Sequence, residues 1–249
     1  MTALQFLTHK GARLAYRQLA GAGPLLVFLP GYMSDMTGSK AQALADWAAL
    51  HGRACLRLDY SGCGASGGDL SDGSIGRWTD DAQAVIDHVA PGAPVVLVGS
   101  SMGGWVALQL GLRLGARLAG LVLVAAAPDF TDWGLEIADE DRNLLATQGW
   151  FTRPSDHDPA GYRYCAALIA DAPAQRLLGG AIAVTAQVRL LHGQRDDAVP
   201  WALSLETAER LCSDDVQVLL VKDGDHRLSR PDDLVRLLAI VADLTGAMP

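Results

Sequence analysis

Cysteine is scarce and poorly spaced for chemistry. The four present are Cys55, Cys63, Cys165 and Cys212, with no C-x-x-C pair among them. A disulfide framework and a thiolate metal knuckle are therefore excluded, and free thiols in a reducing compartment are expected. Positive charge is also in short supply: 20 Lys and Arg stand against 28 Asp and Glu, for a net charge of −8. Without a basic cluster to neutralise phosphates, no nucleic-acid surface is expected. The histidines and carboxylates lack H-x-x-x-H or H-E-x-x-H spacing, so neither a metal nor another cofactor is expected. Long apolar runs are missing. The longest, Leu118 to Pro128, is about eleven residues against the roughly twenty that a membrane span needs. The N-terminal MTALQFLTHKGARLAYRQL has no basic segment followed by an apolar one. That argues against secretion and predicts a cytoplasmic location.

What remains is an ordinary globular composition, 50% hydrophobic and 19% charged over 249 residues, which fits one domain of 1–249. Short β-rich runs alternate with helical periods, the pattern of a mostly parallel sheet with helices on both faces. Strands are expected at 4–7, 13–19, 25–29, 54–58, 95–99, 118–125, 188–192 and 216–221, eight in all. Helices are expected at 41–51, 78–89, 103–114, 202–212 and 231–244. Between about 129 and 183 the apolar period breaks down and Trp133, Trp150, Phe151, Tyr162 and Tyr164 cluster. That interval is longer than a connection needs and is expected to be a small cap inserted in the sheet domain.

The central motif is Val95-Val-Leu-Val-Gly99-Ser100-Ser101-Met102-Gly103-Gly104. It reads strand, then G-x-S-x-G, then helix, which is the setting of a nucleophile held on a sharp turn. The glycines at 99 and 103 leave room for strained backbone around Ser101, and the following helix aims its free N–H groups at the same place. Ser100 stands one residue too early for the glycines to flank it. Met102 N–H is the first expected oxyanion donor. The second is Tyr32 N–H, from the Pro30-Gly31-Tyr32-Met33 loop that follows strand 25–29 and opens on the same sheet edge.

A serine nucleophile needs a base and an acid to orient it. Asp196, first of the pair in Leu190-Leu-His-Gly-Gln-Arg-Asp196-Asp197, follows a strand end directly, and Asp129 is the alternative because it too lies just past a strand. His226, in Asp223-Gly-Asp-His226-Arg, is the histidine that falls late, in a loop and after the carboxylate, giving the chain order Ser, Asp, His. His192 reads as structural, and His9, His51, His88 and His157 lie away from the expected rim or within the cap. Gly62-Cys-Gly64-Ala-Ser-Gly67 is formally a G-x-G-x-x-G. It continues as loop instead of opening a helix, so no dinucleotide is expected; Asp59 and Ser66 are expected to tie it down.

Taken together, LPGYMSDMTGSKA, RLDYSGCGASGG, VGSSMGGW, LLHGQRDDAVPW and DGDHR resemble the α/β-hydrolase superfamily. Within it they resemble the mitochondrial acyl-protein thioesterase and acyl-glucuronide esterase group. The resemblance implies an α/β-hydrolase fold, Ser101, Asp196 and His226 as catalytic residues, and a small-molecule ester or thioester, or an S-acylated protein, as substrate. The front of the chain departs from that group, with the sheet beginning almost at Met1 and no transit peptide ahead of it, which again predicts a cytoplasmic relative. Trp105, Trp133 and Trp150 are the expected substrate-pocket residues. Serine peptidase and carbon–carbon hydrolase chemistry on the same scaffold remain open, as does a non-catalytic binding protein.

Overall fold

Parallel strands buried on both faces need continuous apolar runs, and AGPLLVFL, VVLVGS and LAGLVLV supply them. The computed structural model describes residues 2–155 and 160–246. His157 and part of the expected cap, 156–159, lie outside the described residues.

In chain order the elements begin with a hairpin, β1 (Gln5–His9) and β2 (Ala12–Leu19), then β3 (Ala22–Leu29), α1 (Ser39–Leu50) and β4 (Arg53–Leu58). Next come α2 (Ile75–Val89), β5 (Val95–Ser100), α3 (Met102–Leu114) and β6 (Leu118–Val124). The interval after β6 holds α4 (Phe130–Trp133), α5 (Asp139–Gln148), β7 (Trp150–Arg153), β8 (Tyr162–Cys165) and α6 (Ala166–Asp171). The chain then returns through β9 (Gln187–Gly193), α7 (Ala202–Arg210), β10 (Val216–Val221) and α8 (Pro231–Thr245).

Eight strands form one sheet in the order β1-β2-β4-β3-β5-β6-β9-β10. β2 runs antiparallel to β4, and every pair from β4 to β10 is parallel. The period of two along β5 divides the core. Val95 and Leu97 join the cluster containing Trp78 and Trp105 of α2 and α3, while Val96 and Val98 join the one containing Leu44 of α1 and Leu237 of α8. α2 starts three residues earlier than periodicity predicts, because Ser74 caps it by accepting the Arg77 N–H at 3.2 Å.

The interval between β6 and β9 contains a pairing that periodicity does not show. β7 and β8 form a separate antiparallel hairpin, Trp150 opposite Cys165 and Arg153 opposite Tyr162. Strands of four residues are too short to establish an alternation of their own. Bidentate pairing of Arg153 with Asp141 fixes the hairpin to α5. No helix among the described residues is long and apolar enough to cross a membrane.

Candidate active site

The carboxyl ends of β3, β5, β6, β9 and β10 open on one sheet edge, where ligands bind in folds of this kind. At the end of β5 the chain reverses into α3 through Ser101, whose φ of 55° and ψ of −123° lie outside the ordinary regions for a side-chain-bearing residue. The strain is held from several sides: Ser101 N–H donates to Val124 O at 2.9 Å, and Ser101 O accepts from Gly104 N–H at 2.8 Å and Ala127 N–H at 3.1 Å. The packing explains the glycines. A Cβ at Gly99 would lie 2.4 Å from Gly103 O, one at Gly103 2.2 Å from Leu29 O, and one at Gly104 2.4 Å from Ala126 Cβ. Only bare backbone lets β5, α3 and the end of β3 come this close.

Ser101 Oγ stands 3.1 Å from His226 Nε2, and His226 Nδ1 stands 2.8 Å from Asp196 Oδ2. The three expected residues meet across separations of 125 and 30 positions. The Asp196 side chain has no exposed surface. Burial pushes its carboxyl up, but hydrogen bonds from His192 and His226, the charge of a protonated His226 and the Val199 N–H together hold it well below the usual carboxylate range. Asp197 is exposed and stands beside the group. Asp129, the alternative acid, is committed elsewhere: its carboxylate accepts the N–H groups of Leu177 and Leu178, at 2.8 Å for the latter. Burial raises the Asp129 pKa, and the same N–H groups oppose the shift.

The loop after β3 packs against the turn. A Cβ on Gly31 would touch Ser101 Cβ and Ser100 O at 3.3 Å. Neither Tyr32 N–H nor Met102 N–H has a protein acceptor among the described residues. The Tyr32 side chain leaves the loop for the segment above it. Its ring stacks on Tyr164 at 5.2 Å and 5°, and its hydroxyl donates to Arg163 O. Burial, with Cys165 next, pushes this phenol far above its ordinary pKa. Met33 Sδ accepts the Arg163 N–H at 3.4 Å, a second link from the same loop to β8.

Above Ser101 and His226 lies a cavity of about 370 Å³. Its lining includes an aromatic group, Tyr32, Phe130, Trp133, Tyr162 and Tyr164, and a polar group that carries Lys40, Arg227 and Ser229. Lys40 Nζ donates to the carbonyl of Arg227, next to His226. Burial, and then the Arg227 charge, lower its pKa to about 8. Of the expected pocket tryptophans, Trp133 lines this cavity. Trp105 and Trp150 do not, which corrects the expectation. Trp105 is fully buried, edge-on to Phe130 at 5.6 Å, with its Nε1 donating to Gln175 O at 2.9 Å. Trp150 lies under the Arg163 guanidinium at 4.4 Å. Phe130, Tyr162 and Tyr164 take their places. A bulky aromatic reads alike in sequence whether it packs inward or lines a cleft.

His192 stands differently from its sequence reading, whereas the Gly62–Gly67 loop is held as expected. His192 contacts the Asp196 carboxylate at 3.0 Å, so it belongs to the surroundings of the site. The Gly62–Gly67 loop is tied down by Asp59, which accepts the Met36 N–H at 2.7 Å and the Ala65 N–H at 2.8 Å, while Ser66 Oγ donates to Asp59 O at 2.7 Å.

A family model described as "Alpha/beta hydrolase family" matches residues 26–237. The chain belongs to the alpha/beta hydrolase family. Among curated members, "Palmitoyl-protein thioesterase ABHD10, mitochondrial" of Mus musculus is 39% identical over 234 residues, covering 93% of this chain and 78% of the relative. The solved structure of mouse alpha/beta hydrolase domain-containing protein 10 superposes with a TM-score of 0.88 at 37% identity, covering 97% of this chain and 98% of that one. A crystal structure from Agrobacterium vitis S4 gives a TM-score of 0.91 at 41% identity, covering 98% of both chains. The mouse, human and rat relatives are all named mitochondrial, which points away from the cytoplasmic location expected from the sequence and corrects it. Targeting segments are in general processed apart from the folded domain, so fold and composition give no reading of location.

Proposed function

We propose that this chain hydrolyses acyl thioesters and carboxylic esters, S-acylated protein among them, through an acyl-enzyme on Ser101. The observation that carries the reading is the unbroken path from Ser101 Oγ to His226 at 3.1 Å and from His226 to Asp196 at 2.8 Å, on the floor of a cavity with an aromatic lining. His226 Nε2 takes the Ser101 proton as Oγ attacks the acyl carbonyl. Asp196 keeps the imidazole in the Nδ1–H tautomer and offsets the imidazolium charge without itself taking a proton. The oxyanion is received by Met102 and Tyr32 N–H, which have no protein acceptor to give up and sit at the positive end of α3 and in the loop after β3.

His226 then delivers its proton to the departing sulfur or oxygen, and water repeats the sequence on the acyl-enzyme. The aromatic lining holds the acyl chain, and the leaving group lies toward Lys40 and Arg227. We assign residues 129–183 as the cap that selects between acyl groups. The thioester reading is supported by the names of the mouse and human relatives. It is tested by kcat/KM for a long-chain acyl thioester against a short-chain oxygen ester, with Ser101→Ala as the blank. Preference for the long thioester is the expected result. Preference for the short oxygen ester would leave an esterase with the same triad, and turnover by Ser101→Ala would remove the triad.

A further inference from the structure

His192, one residue before the end of β9, has no solvent exposure, and the mechanism above does not use it. Its Nε2 lies 3.0 Å from Asp196 Oδ2 and 3.1 Å from Val199 O. A carboxylate and a carbonyl can only accept, so Nε2 carries a proton and shares it between them. The other ring nitrogen, Nδ1, is 2.7 Å from Ser204 Oγ of α7, a buried hydroxyl that can donate to it. With that donation the imidazole is neutral and both nitrogens are satisfied.

Asp196 is thereby filled. Oδ1 accepts the N–H groups of Ala198 at 2.9 Å and Val199 at 2.8 Å, and Oδ2 accepts one imidazole on each side, His192 and His226. The charged groups around His192 are Asp196 itself and, across it, His226; no other charged side chain comes within ion-pair distance among the described residues. A second imidazolium here would compete for the charge that the first one needs. A neutral donor orients the carboxylate and leaves that charge to His226.

We propose that His192 is a positioning residue: its neutral Nε2–H, fixed by the Ser204 hydroxyl, holds Asp196 Oδ2 toward His226 Nδ1. This rests on the triad reading of the preceding section. The test compares wild type, His192→Leu, His192→Gln and Ser204→Ala by kcat and KM against pH, by the low-field proton resonance of the His226–Asp196 bond, and by fluorophosphonate labelling of Ser101.

His192→Leu is expected to lower kcat about tenfold to a hundredfold with KM little changed, the loss of one charge-assisted hydrogen bond. The freed charge on Asp196 would favour protonated His226, moving the acid limb of kcat/KM to higher pH and shifting the low-field resonance. His192→Gln, whose amide nitrogen can occupy the Nε2 position, should recover most of kcat. Ser204→Ala should move kcat, the acid limb and the low-field resonance the same way by less, and it carries the test if His192→Leu does not fold. Wild-type protein that takes no label on Ser101 overturns the triad reading and this proposal with it. Normal labelling, with kcat and the acid limb unchanged in His192→Leu or, if that does not fold, in Ser204→Ala, overturns the proposal alone.

Discussion

Residues 95–114 and the described residues of 129–178 both contribute to the lining of the same cavity and are held in place by different forces. The first stretch is backbone fitted to backbone: a central parallel strand, a residue at φ 55°, and glycines that bring carbonyl oxygens to within 2.4 Å of where a Cβ would stand. The second is held largely by side chains. Tyr164 stacks on Tyr32, Arg153 pairs with Asp141, and Asp129 straps down the N–H groups of Leu177 and Leu178. A backbone-built turn places one oxygen with little tolerance for change. A side-chain-built cover can change shape as aromatic rings are exchanged, so on the proposed function the chemistry belongs to the first region and the choice of acyl group to the second.

The largest expected effect comes from the turn. Ser101→Ala should lower kcat by about six orders of magnitude, as loss of such nucleophiles does, while leaving the thermal midpoint near wild type. Turnover of a long-chain acyl thioester measures it, and a small loss would erase the distinction between the two regions. Next are the two aspartates. Asp196→Asn should cost about 10⁴-fold in kcat through the wrong imidazole tautomer, whereas Asp129→Asn should leave kcat within about tenfold and lower stability by about 1 to 3 kcal/mol. The reverse pattern would move the acid to the cap side.

Two glycines sharpen the contrast in stability. Gly103→Ala forces a Cβ to 2.2 Å from Leu29 O and should cost at least the 1 to 3 kcal/mol of an overpacked core. Gly149→Ala, at φ +85° with nothing within 4 Å, should cost only about 1 to 2 kcal/mol from the left-handed backbone. Chemical denaturation of both variants tests the ordering. The smallest effect is in pH. The Asp196 pKa is depressed in the folded state, so its contribution to stability is full above the unfolded value of about 4 and is lost as pH falls below it. The stability advantage of wild type over Asp196→Asn should therefore shrink as pH is lowered from about 4, read by urea midpoints at several pH values.

The turn was legible because its cause is local. Gly99, Ser101 and Gly103 lie within five positions, and the strand before and helix after are each long enough to show their period. Asp196 and His226 were legible by a weaker route, through their place after strand ends and their order along the chain. The cap was not. The pairing of Trp150–Arg153 with Tyr162–Cys165 spans two four-residue strands, and whether an aromatic there faces the cavity depends on the opposing wall. Trp105 and Trp150 looked like pocket residues, but Phe130, Tyr162 and Tyr164 line the cavity. His192 looked like a core histidine until Asp196 was seen to lie 3.0 Å away.

By itself the sequence determined the parallel sheet, the strained turn at Ser101 and the residue types that meet there, because apolar periodicity and glycine placement act over a few neighbouring positions. Only the tertiary structure decided which carboxylate faces His226, which rings enclose the cavity and that His192 stands behind Asp196. Those contacts join residues far apart in the chain, and their geometry exists only once the sheet edge has gathered them.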